Sequence, residues 1–169
     1  LQTVIEINAK VETNNVLDFV QMCEAKHNRM LVELGNNIEQ DIENIRLIAI
    51  AGPSSSGKTT FCNRVRIELL SRGINPVMIS MDDYYLEKEK ISEIQNKPID
   101  QLDLEHINCL DVDLFNKDLY DLINGEEVTL PRFNFQTGKR EVGRTIKVDS
   151  NSPIMIEGIH ALNEKLTAS

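Results

Sequence analysis

Apolar residues recur along the first quarter of the chain at three- and four-residue steps. Val16, Phe19, Val20, Cys23, Met30, Leu31, Leu34, Ile38, Ile42 and Ile45 keep this spacing, which predicts a helical stretch from Asn15 to about Asn44. Glu24, Glu33, Glu39 and Glu43 fall mostly on the opposite, wet face. Gly35-Asn36-Asn37 is a candidate break into two helices. His27 reads as a surface or capping histidine, and Thr3-Val-Ile-Glu-Ile7 as a short strand.

The pattern changes at Arg46. Leu47-Ile-Ala-Ile-Ala51 is a short continuous apolar run, the signature of a buried strand. It predicts strand 47–51, a loop over 52–57 and helix 58–71, with Gly73 suited to a left-handed helix end. Val77–Ser80 reads as a second strand and residues 86–100 as a mobile loop or irregular helix. Asp111 to Ile123 reads as an amphipathic helix with Leu114, Phe115, Leu119, Leu122 and Ile123 inward. Val128–Phe135 and Thr145–Val148 read as a hairpin joined through Thr137-Gly-Lys-Arg140, and Ile154–Glu157 as a third core strand. Strands alternating with helices predict an α/β fold, a parallel sheet with helices on both faces.

Composition narrows the partners. A chain of 169 residues is long enough for one cored domain and a modest appendage. Its net charge of −9 argues against nucleic acid or an anionic membrane as the main partner. Cys23, Cys62 and Cys109 are widely spaced and form no C-x-x-C, as expected of reduced thiols in a cytoplasmic protein.

The candidate chemistry begins at Gly52-Pro53-Ser54-Ser55-Ser56-Gly57-Lys58-Thr59-Thr60, which fits G-x-x-x-x-G-K-[ST] between a strand and a helix. In such a loop, backbone N–H groups and a helix N-terminus converge on phosphate oxygens. Lys58 would reach the β- and γ-phosphates of ATP, and the Thr59 hydroxyl would ligate Mg²⁺. Two further strands end in acids, Asp82-Asp83 and Glu157. Ligands of an open parallel sheet bind beyond the carboxyl ends of its strands, so these acids are candidates to converge on the metal and the γ-phosphate. Phosphoryl transfer needs a cradle, a metal and a carboxylate to take the proton of the attacking hydroxyl.

Four segments in order carry a resemblance: Ile50 to Phe61, Ser80-Met-Asp-Asp-Tyr-Tyr85, Pro131-Arg-Phe-Asn-Phe135 with Arg140, and Ile156-Glu-Gly-Ile159. Together they resemble the uridine kinase and phosphoribulokinase family over residues 46–166. The resemblance implies a P-loop NTPase-type sheet with flanking helices over 46–169, truncated at its C-terminus before the family's arginine-rich lid. It implies an N-terminal helical extension over 1–45, the tail of an upstream part similar to threonyl-tRNA synthetase N-terminal domains. It also implies Asp82 as general base, Thr59, Asp82 and Glu157 at Mg²⁺, and Tyr85, Asn108, Phe133 and Arg140 at the acceptor.

The family carries a tyrosine, an aspartate and a histidine where this chain has Phe133, Asn134 and Gly138, and a ribose-binding aspartate where it has Asn108. The expected activity is ATP-dependent phosphoryl transfer to a small-molecule hydroxyl, such as a nucleoside 5′-hydroxyl. A sugar or other non-pyrimidine alcohol as acceptor, or a nucleotide-binding regulatory module, stays open, as does homo-oligomer assembly.

Overall fold

The computed structural model describes residues 16–52, 57–158 and 160–161. The strand expected at Thr3–Ile7 and four loop residues, Pro53 to Ser56, lie outside them. Helix α1 spans Val16–Gln40, β1 Leu47–Ile50, α2 Lys58–Ser71, β2 Val77–Ser80 and α3 Lys88–Gln95. Then follow α4 Val112–Ile123, β3 Val128–Asn134, β4 Lys139–Ile146 and β5 Ile154–Glu157. Short 3₁₀ turns cover Met81–Tyr84, Ile99–Gln101 and Ile107–Cys109.

Three parallel strands form the central sheet in the order β1-β5-β2, so the last strand in sequence lies in the middle. Period-2 alternation splits its side chains between two cores. Ile154 and Ile156 of β5 pack with Ile79, Met81, Tyr84, Phe115, Leu119 and Leu122, on the side of α4 and the hairpin. Met155 packs with Leu31, Ile38, Val65 and Leu69, on the side of α1 and α2. Burial on both faces is why these strands read as unbroken apolar runs.

The sequence-based expectations need four corrections. Gly35 does not break α1, which runs through it. It is buried so closely against α2 that a Cβ there would stand 2.5 Å from Arg72 Nε, and Arg72 ties α1 to α2 through Glu39, Glu68, Asn36 and the Val32 carbonyl. Residues 88–95 form a regular helix, anchored by the buried Ile91. Strand β4 starts at Lys139, six residues before the expected Thr145, because a tight turn closes the hairpin at Gly138. Ile123 is exposed at the end of α4 rather than inward. His27 is half-buried and stands edge-on to Phe61 of α2, with ring centroids 6.1 Å apart. Cys23 is exposed, Cys62 and Cys109 are buried, and all three are free thiols. Among the described residues no helix is long and apolar enough to cross a membrane.

Candidate active site

The phosphate-loop motif sits between β1 and α2. Gly57 caps α2 with φ 76°, a left-handed conformation that favours glycine. The 14-residue helix it opens directs its free N–H groups and positive dipole end toward the loop. Lys58 is buried, and its Nζ donates to the Gly52 carbonyl at 3.1 Å. The ammonium thereby ties the first turn of α2 back to the residues that follow β1. Thr59 Oγ1 donates to Glu157 Oε1 at 2.6 Å, joining the first turn of α2 to the carboxyl end of β5. Thr60 is exposed on the same turn.

The second acid arrives from β2. Ser80, the last residue of that strand, accepts the Asp82 N–H on its Oγ at 3.3 Å and so caps the 3₁₀ turn 81–84. Asp82 is exposed to solvent, yet the protein packed around it raises its carboxyl above the usual aspartate value. Repulsion from Glu157 and Asp83 acts in the same sense, and Lys58 opposes it. Glu157 and Ser80 are register partners on adjacent strands. Thr59 bonds Glu157, and Lys58 and Glu157 both act on the Asp82 carboxyl, so the four residues stand together at the carboxyl ends of the strands. Beneath them Cys62 is pushed up to about 11, by burial first and by Glu157 next, which keeps the thiol protonated and unreactive.

The residues fit a nucleoside triphosphate with Mg²⁺. One hydroxyl and two carboxylates make a sparse donor set, suited to a cation that takes few protein ligands and fills its octahedron with phosphate oxygens and water. Among the described residues no group of three or more His, Cys, Asp or Glu forms a metal cage.

The hairpin β3–β4 folds against the acid turn. Phe133 N–H donates to Asp83 Oδ1 at 3.3 Å. Arg140 donates to Asp111 Oδ2 at 3.0 Å and to the carbonyls of Tyr84 and Tyr85 at 3.4 and 3.3 Å. Its guanidinium thus clamps the hairpin and the N-terminus of α4 onto the acid turn. Glu87 takes the Lys139 ammonium at 3.0 Å and the Arg140 N–H at 3.4 Å. Tyr85 and Phe133 border a cavity of about 370 Å³ together with Phe135 and Leu104. Burial and the nearby Asp82 charge raise the Tyr85 hydroxyl above its ordinary value. Asn108 does not border this cavity; it is exposed on the turn Ile107–Cys109 beside a neighbouring depression with Lys90, Asp111 and Asn116.

Ser80, Glu87 and Phe135 escaped the sequence reading as site residues, and Asp83, expected with Asp82 at the metal and the γ-phosphate, accepts the Phe133 N–H of the hairpin. Phe135 stood within a quoted segment, and Ser80 immediately precedes the acid turn. Glu87 lies 53 residues from the arginine whose N–H it accepts, so no local signal marks it.

The profile of the Phosphoribulokinase / Uridine kinase family matches residues 47–168. The chain belongs to that family. Among its relatives, uridine-cytidine kinase A of Dictyostelium discoideum is 33% identical over 74% of this chain and 23% of its own length. A protein of Arabidopsis thaliana named inorganic pyrophosphatase TTM2 is 35% identical over 76% of this chain and 17% of its own. The chain thus spans less than a quarter of each of these relatives. A solved structure described as a possible uridine kinase from Bacillus stearothermophilus superposes with TM-score 0.66 at 25% identity, covering 84% of this chain and 77% of that one. The parallel sheet with flanking helices is the fold this chain shares with that structure.

Proposed function

We propose that this chain transfers the γ-phosphoryl group of ATP to a hydroxyl of a small molecule, as a uridine kinase does to a nucleoside 5′-hydroxyl. One observation carries the reading: the 2.6 Å bond from Thr59 to Glu157 brings the phosphate loop and the last core strand together beside Asp82. In this reading the loop amides from Gly52 to Thr60 and the Lys58 ammonium hold the phosphates. Thr59, Asp82 and Glu157 hold Mg²⁺, directly or through water, and the ion neutralises phosphate charge when bound. Asp82 accepts the proton of the attacking hydroxyl, and its raised pKa makes it a better base near neutral pH than an ordinary aspartate. Tyr85 and Phe133 contact the acceptor, Arg140 holds their wall in place, and Asn108 approaches the acceptor only from its outer edge. An upstream domain similar to the N-terminal parts of threonyl-tRNA synthetase, in the cytoplasm, belongs to the same reading.

A sugar or another non-pyrimidine alcohol is the second reading, favoured by Phe133, Asn134 and Gly138 in place of hydrogen-bonding side chains. The test is acceptor-dependent ADP release from ATP and Mg²⁺ over a panel of nucleosides and sugar alcohols, with Asp82→Asn as control. Removing a general base should lower turnover by about 10²–10⁴-fold while ATP binding persists. ATP binding without Asp82-dependent turnover on any acceptor would instead indicate a regulatory nucleotide-binding module.

A further inference from the structure

The cavity beside the acid turn is walled by three rings. Tyr85 lies 5.8 Å from Phe133 and 5.8 Å from Phe135, and the two phenylalanines lie 4.9 Å apart, all in tilted or edge-to-face contact. Leu104 and Ile91 complete an apolar wall. Phe135 is 64% exposed, a large apolar surface left open next to the site. A cavity of about 370 Å³ is in the range of small-molecule sites.

Most polar groups near this wall are already committed. The Tyr85 hydroxyl donates to the Leu104 carbonyl at 3.3 Å. Asn134 Oδ1 accepts the N–H groups of Gln136 and Thr137, and its Nδ2 donates to Glu141, so the side chain is spent on the hairpin turn. The Lys139 ammonium lies between Glu87 and Glu89, at 3.0 and 3.8 Å. Gly138 contributes no side chain, and a Cβ there would meet nothing within 4 Å. The Thr137 hydroxyl donates to the Asn134 carbonyl at 3.5 Å, which leaves the exposed Gln136 and Lys88 at the rim of the cavity.

We propose that this pocket holds its acceptor by ring stacking and apolar contact and does not read the hydrogen-bonding edge of a base. Its substrate class is then an alcohol carrying a flat ring, with little preference for a pyrimidine over other rings. The proposal rests on the kinase reading above. The ring lies against Tyr85 and Phe135 while the hydroxyl reaches Asp82, three residues before Tyr85. The hydroxyl oxygen forms the new P–O bond, the bond to the ADP oxygen breaks, and Asp82 takes the proton. A site that hydrogen-bonds its substrate rejects an analogue lacking those groups by about 10⁴–10⁵-fold, whereas an apolar pocket discriminates by about 10²-fold or less.

The experiment compares three acceptors with the same ribose 5′-hydroxyl on the full-length protein: uridine, 3-methyluridine and a phenyl C-riboside. Their kcat/KM values should agree within about a hundredfold, and Phe135→Ala should raise KM for all three alike with kcat retained. Uridine favoured over the phenyl riboside by more than that, or a Phe135→Ala effect confined to uridine, overturns the proposal. Absence of Asp82-dependent ADP release with every acceptor would count against the kinase reading instead. Calorimetric titration with uridine and the phenyl riboside then tests the pocket alone: comparable affinities uphold it, and binding of uridine only, or of neither, overturns it.

Discussion

At the scale of single residues, two aspartates carry pKa values raised chiefly by burial, and each gives a pH-dependent prediction. Asp82 is raised by the protein around it and by Glu157 and Asp83, against the pull of Lys58. A general base works ionised, so kcat/KM should fall as the pH drops through the Asp82 value, with the acid limb above the ordinary aspartate range. A pH–rate profile with that limb at or below the ordinary range would remove Asp82 as the base. Asp118 of α4 is buried, accepts the Tyr84 hydroxyl at 2.9 Å and is raised chiefly by burial. Its folded pKa exceeds its unfolded one. Its contribution is therefore fully present below the unfolded value and lost as the pH rises through the folded value. Asp118→Asn keeps an oxygen for Tyr84 and removes the charge, so the variant's Tm relative to the wild type should climb between about pH 3 and pH 7. A Tm difference that does not change with pH would mean that Asp118 carries no buried charge.

At the scale of elements, the proposed reaction depends on how closely β5 and the acid turn approach. Gly158, directly after Glu157, lies so near the turn that a Cβ would stand 2.8 Å from Met81 Cβ. Gly158→Ala should push Met81 and the adjoining Asp82 away from Glu157. We expect kcat to fall by at least tenfold with KM for ATP little changed, since a misplacement of about 1 Å can cost on the order of 10²-fold. An unchanged kcat would show that the Asp82–Glu157 spacing is not critical. Arg140 acts at the same scale: its bonds to Asp111, Tyr84 and Tyr85 tie three elements together. Arg140→Lys keeps the charge but cannot reproduce the fork. It should raise KM for the acceptor more than KM for ATP, which steady-state kinetics on both substrates will check.

At the scale of the molecule, α1 belongs to the core rather than lying outside it. Leu31 and Ile38 share a cluster with Val65 and Leu69 of α2 and Met155 of β5. Leu31→Ala should cost about 2–5 kcal/mol and lower the Tm of one cooperative transition. Two separated transitions in calorimetry would instead mark α1 as an independent unit.

The sequence alone carried the phosphate loop, the parallel α/β class, the three core strands and the acids at their ends. Each of these is local: a fixed spacing of Gly, Lys and Thr, an apolar run, or a period of hydrophobic positions. Tertiary structure decided what no local signal holds. The order β1-β5-β2 places Glu157 between the other strand ends, and that order depends on pairings more than 70 residues apart along the chain. Packing against Arg72 lets Gly35 continue a helix that its propensity would interrupt. The hairpin folds back onto the acid turn and brings Phe133 and Phe135 to Tyr85, giving the ring pocket its walls. The physical reason is common to all three. Backbone preference and hydrophobic period act over a few residues, whereas register, close approach and the facing of side chains are set by contacts that exist only once the chain has closed on itself.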